Sequence, residues 1–132
     1  MAGTDRRGSD DRPARYVFRV TVRLDPAQGY SASPDKFETV LSRPADPPGE
    51  AGWLFFRDTL WRGELGDAAH GRRLAEDALG VPVESVSFSE LRTSEPYLDD
   101  LKAAIAADLD AFNADDVTEV LTKYLGSSIH VE

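Results

Sequence analysis

Between Gly52 and His70 the chain mixes large rings and charged side chains more densely than anywhere else. Arg57 and Arg62 can each offer a planar guanidinium fork to a carboxylate or a phosphate. Trp61 could floor a cleft beside them, and Glu64 and His70 are nearby groups able to take a proton. The stretch from Gly52 to Leu65 also holds both tryptophans and two of the six phenylalanines. Three readings follow. In the first, Arg57, Trp61, Arg62, Glu64 and His70 bind a protein partner or a small anionic ligand without catalysis. In the second, Arg57 and Arg62 clamp a phosphorylated or carboxylated metabolite and His70 or Glu64 is the base. In the third, the residues are structural: Asp58 caps a helix, Trp61 is mostly buried, and Arg62 pairs with Glu64 or with a carboxylate of the acidic helices.

Other chemistry finds little support. Without cysteine there is no disulfide, thiolate metal site or sulfur nucleophile. His70 and His130 share no metal-binding spacing. Ser127 and Ser128 follow Gly126 without the Gly-x-Ser-x-Gly pattern of a nucleophile elbow. Phosphate-loop, dinucleotide and zinc motifs do not occur. Asp108, Asp110, Asp115 and Asp116 do not match a calcium loop and read as a solvated acidic face. No cofactor and no metal are expected.

The 132 residues suit one domain with a single core. The formal charge is −9, from 15 Asp and 9 Glu against 12 Arg and only 3 Lys. Asp excess with Lys depletion is the composition expected of a protein in a salty cytoplasm. Self-repulsion is screened there, since the Debye length at 1 M salt is about 3 Å. Residues 95–132 carry nine acids against two lysines, whereas the central stretch is nearly neutral. This balance disfavours nucleic acid. An RNA-binding module using a sheet face with Arg19, Thr21 and Arg23 stays as a further alternative. No apolar run approaches the length of a membrane span, and Met1 to Arg6 lacks the apolar core of a signal peptide. A cytoplasmic location is the expectation.

The elements that must position these residues come next. Residues 1–13 are polar, have no apolar period and read as a disordered tail; residues 14–132 read as one α+β domain. Tyr16 to Leu24 alternates, with Tyr16, Phe18, Val20, Val22 and Leu24 on one face, and predicts a half-buried strand. Asp25-Pro26 ends it, and Gln28 to Pro34 is loop. Phe37 to Arg43 predicts a second strand with Phe37, Thr39 and Leu41 on one face. Pro44 to Glu50 is a stiff connection. Trp53 to Phe56 predicts a third strand, buried on both faces and paired with the second, and Asp58 predicts the cap of a short helix from Thr59 to Leu65. Asp67 and Gly80 bracket a helix from Ala68 to Leu79. Val83 to Leu91 predicts a strand with Val86 and Phe88 inward. A long helix starts at Ser94 or Glu95, with Pro96 in its first turn and an apolar stripe from Tyr97 to Phe112. Asn113 is the expected cap of a last helix, whose stripe is Val117, Val120, Leu121, Tyr124 and Leu125. Gly126 ends it before a short terminal strand. The order of elements implies an antiparallel sheet of about four to five strands with helices packed on one face.

Leu60-Trp61-Arg62, within Thr59 to Glu64, resembles the signature of the LWR-salt family of small haloarchaeal proteins. Gly52 to Asp58, Val86-Ser87-Phe88-Ser89-Glu90-Leu91 and Tyr124-Leu125-Gly126-Ser127-Ser128-Ile129 are similar to further parts of the family pattern. The resemblance covers most of the chain after about residue 14. It implies a haloarchaeal source, in line with the composition. It implies no activity and carries over no catalytic residue.

Overall fold

The computed structural model describes residues 13–23 and 36–132. The expected tail up to residue 12, Leu24, the Asp25-Pro26 stop and the Gln28 to Pro34 loop lie outside the described residues. Strand β1 (Ala14–Arg23) is central, between β2 (Lys36–Pro44) and β5 (Val83–Thr93), with antiparallel pairing on both sides. Its alternation does what the sequence predicts. Tyr16, Phe18, Val20 and Val22 are buried, and every β1 member of the core cluster has an even number. Among the described residues a single cluster takes in that face and side chains from all four α-helices: Phe56, Ala75, Leu101, Ile105, Val120 and Leu125 among them. The molecule is therefore α+β, as expected.

The sheet is mixed rather than purely antiparallel. Its order is β2-β1-β5-β6, and β6 (Ile129–Val131) runs parallel to β5. Helices α3 (Glu95–Ala106) and α4 (Val117–Leu125) lie between those two strands in the chain, so the path returns to the sheet by a crossover. A crossover of that kind is what parallel neighbours require.

The apolar run from Trp53 to Phe56 is not a strand paired with β2. Residues 51–54 are turns, and Phe55–Thr59 is a five-residue helix, α1. Asp58 lies inside this helix and does not cap one. Consecutive rings leave α1 towards different neighbours. Phe55 sits 4.7 Å from the Tyr16 ring, while Phe56 stacks on Phe112 at 5.7 Å and meets Tyr124 at 6.0 Å. Double-sided burial is what suggested a two-faced strand; a helical turn wedged between two aromatic clusters produces the same run.

The other helix signals hold more closely. In α2 (Ala68–Leu79) the Asp67 carboxylate accepts the His70 N–H at 3.1 Å, and Gly80 closes the helix with φ +72°. The hydrogen bond from the His70 backbone holds Asp67 below its ordinary acid range. Ser94 caps α3, accepting from the Tyr97 N–H at 3.2 Å, with Pro96 in the first turn. Burial first, and then the charge of Asp46, pushes the Tyr97 phenol up to about 12; its hydroxyl donates to the Asp46 carbonyl at 2.6 Å. The stripe expected to run on to Phe112 breaks after Ala106, and Leu109–Phe112 is a separate 3-10 turn. Asn113 ends that turn in the left-handed region, φ +50°, a conformation asparagine tolerates. The cap of α4 is instead Asp116, which accepts from the Glu119 N–H at 2.8 Å.

Candidate functional site

Leu60-Trp61-Arg62-Gly63-Glu64-Leu65 forms a miniature hairpin. Strand β3 (Leu60–Trp61) pairs antiparallel with β4 (Glu64–Leu65), and the expected helix from Thr59 to Leu65 does not form. Arg62 and Gly63 are the two loop residues, with φ +54° and +80°, the sign pattern of a type I′ turn. Strand alternation then separates neighbours: Leu60 is 2% exposed and Trp61 is 46% exposed. The expectation of a mostly buried Trp61 is therefore wrong. It rested on a helix, in which this indole would have been the anchor; in the hairpin Leu60 is the anchor and the indole leans edge-on against Tyr124 at 5.9 Å.

The turn is seated on the end of α4. The Arg62 N–H donates to the Lys123 carbonyl at 2.8 Å, and the Gly63 N–H to the Tyr124 carbonyl at 3.0 Å. Gly126 N–H and Ser128 N–H satisfy the Thr122 and Leu125 carbonyls, both at 3.1 Å. All four carbonyls that a helix end leaves unpaired are thus used, two by the chain's own continuation and two by the hairpin turn. Close approach explains two glycines. A Cβ on Gly63 would lie 3.0 Å from the Leu125 oxygen and 2.9 Å from Ser128 Oγ, and one on Gly126 would lie 3.1 Å from the Arg62 oxygen. Ser128 in turn accepts from the Leu91 N–H at 2.8 Å, which ties the joint to β5.

Beside this joint lies an open hollow of about 570 Å³, bounded by Trp61, Arg62, Thr118, Glu119, Thr122 and Lys123. The Arg62 guanidinium carbon is 5.7 Å from the Trp61 ring centroid, within cation–π range. Arg62 makes no ion pair with Glu64 or with any other carboxylate among the described residues. Lys123 Nζ is engaged, donating to the Phe112 and Asn113 carbonyls at 3.0 Å each.

The remaining candidates are spread out. Arg57 pairs with Asp58 at 2.9 Å and donates to the Ala111 carbonyl at 3.3 Å; it does not line the hollow. Glu64 is exposed on the hairpin. His70 is exposed on α2, where its backbone N–H donates to the Asp67 carboxylate. The structure therefore brings together Trp61 and Arg62 and leaves Arg57, Glu64 and His70 outside the hollow. On β1, Arg19 is exposed and Thr21 half-buried, and Arg23 is tied to Glu84. Their paired neighbours on that face, Val40, Glu38, Ser87 and Ser85, include no ring. Sequence reasoning did not single out Thr118, Glu119, Thr122 or Lys123, because nothing local tells which loop will cover a helix end. Among the described residues, no group of three or more acidic, histidine or cysteine side chains could hold a metal ion, and no helix is long and apolar enough to cross a membrane.

No curated protein and no solved structure matches the chain. A family model does: it is described as LWR-salt protein and matches residues 12–132. The chain belongs to that family.

Proposed function

We propose that this member of the LWR-salt family is a non-enzymatic binding module that grips a protein partner through Trp61 and Arg62 at the hairpin tip. One observation carries the reading. A tryptophan that is 46% exposed stands on a backbone locked to a helix end, so little ordering remains to be done on binding. Trp and Arg are the residue types that most often dominate a protein interface. A small anion is a poorer fit, since only Arg62 among the cations at the hollow has its donors free. An enzyme with Arg57 and Arg62 as joint clamps is less supported, because the Arg57 guanidinium is used by Asp58 and Ala111. RNA binding by the outer sheet face is weaker still, since no ring is paired beside Arg19 or Thr21 for bases to stack on. The acid-rich composition goes with a salty, haloarchaeal cytoplasm, so the test belongs in molar KCl.

The test uses the tagged chain, Trp61→Ala and Arg62→Ala as baits for a haloarchaeal extract in molar KCl. The expected result is a protein retained by the parent and lost by both variants while their melts stay cooperative. A parent that retains nothing beyond what the two variants retain overturns the proposal.

A further inference from the structure

On the far side of α1 a second hollow opens on the core face of β2. Residues paired directly across two strands share a face, so Leu41, opposite Phe18, and Arg43, opposite Tyr16, both belong to that face. Helix α2 leaves it uncovered because α2 lies over β5. Gly71 fixes that placement: a Cβ there would meet Leu65 Cδ1 at 2.7 Å and Val86 Cγ1 at 3.3 Å. What remains between β2 and α2 is a pocket of about 240 Å³, walled by Phe18, Leu41, Phe55, Leu74, Ala78 and Val86. A cavity of about 150 Å³ already holds benzene, so this one admits a larger apolar body.

Its rim carries one cation. The Arg43 guanidinium carbon lies 4.5 Å from the Phe55 ring centroid. It forms no ion pair with a carboxylate among the described residues, in a chain with 24 acidic side chains. Stacking on a ring uses the face of a guanidinium and leaves its N–H edges free to bond a carboxylate in two-pronged fashion. Apolar walls with one oriented charge at the mouth are the usual design of a small-molecule site.

We infer that this pocket is a binding site for a small monocarboxylic acid with an aromatic or short branched body, its carboxylate on Arg43 and its apolar part between Leu41 and Leu74. The site shares Leu65 with the hairpin but none of the residues of the Trp61 hollow, and it stands or falls independently of the binding proposed there.

Titration of the whole chain in molar KCl with phenylbutyrate, and with phenylbutanol as its uncharged counterpart, tests the assignment by NMR. The acid is expected to give saturable shifts at Phe55, Leu74 and Ala78, and to bind about tenfold more tightly than the alcohol, the worth of one charge-assisted pair. Arg43→Gln, at an exposed position, is expected to erase that preference, and Ala78→Leu, also exposed, to remove both ligands by filling the pocket. Absence of saturable shifts, equal affinity for acid and alcohol, or an unchanged preference in Arg43→Gln overturns the inference.

Discussion

Phe56 and Trp61 sit five positions apart in one aromatic stretch, and the fold treats them in opposite ways. Phe56 is fully enclosed, stacked on Phe112 and flanked by Trp53 and Tyr124. Trp61 touches that same cluster only through Tyr124 and leaves nearly half of its surface to solvent. What separates them is backbone geometry. A helical turn directs Phe56 inward, and two residues of strand alternation direct Leu60 inward and Trp61 out. Ring size and sequence neighbourhood do not decide which aromatic builds the core; the local period does.

The largest test of that contrast is to delete each ring. Phe56→Ala should cost about 3–5 kcal/mol, the range for emptying a packed aromatic site, whereas Trp61→Ala should cost about 1 kcal/mol. Thermal or guanidinium denaturation at fixed molar KCl measures both. Equal losses would erase the distinction between a core ring and a presented one. Next in size is the seat of the hairpin. Gly63→Ala introduces a Cβ at φ +80° against the Leu125 carbonyl, and a loss of about 2 kcal/mol is expected. A neutral Gly63→Ala melt would mean that the turn can lift off α4 at no cost, and Trp61 would lose its rigid mount. The smallest effect has the opposite sign. Arg62 holds φ +54°, a conformation that suits glycine better than a residue carrying a Cβ. Arg62→Gly should therefore be neutral or up to about 1 kcal/mol more stable, since relief of the left-handed strain offsets the entropy of glycine. A clear loss of stability would assign the Arg62 side chain to structure and take it away from binding.

How much of this was legible beforehand follows the range of the forces involved. Strand β1 declared itself because a two-residue period over the nine positions from Tyr16 to Leu24 has few competing explanations. The ends of α2 and the start of α3 were readable for a similar reason: Asp67, Gly80 and Ser94 act on backbone groups within a few residues. Helix α1 was not readable, because five residues cannot display a period of 3.6. The hairpin hid as well, since its turn is Arg-Gly and not the usual Asn-Gly or Asp-Gly. Asn113 and Asp116 are both able cap residues, and only the 3-10 turn that Asn113 closes decides between them. The parallel direction of β6 depends on where α3 and α4 travel, which no window of sequence records. In the candidate site, Trp61 and Arg62 were singled out by residue type alone. Their separation from Arg57, the partnership with α4 and the uncovered face at Arg43 are all long-range outcomes. The four stretches that resemble the family pattern turn out to be neighbours: Phe56 meets Tyr124, the Arg62-Gly63 turn caps α4, and Ser128 bonds Leu91.

The donation of two turn amides to α4 also has a dynamic meaning. Surface turns ordinarily surrender their N–H groups to solvent deuterium at once, but those of Arg62 and Gly63 are occupied by the Lys123 and Tyr124 carbonyls. Their exchange requires the hairpin to part from the helix end, so both amides report on the opening of that one joint. Residues some sixty positions apart thereby share a single fluctuation. A partner that held Trp61 would slow deuterium uptake at Arg62 and Gly63, the two amides seated on the end of α4.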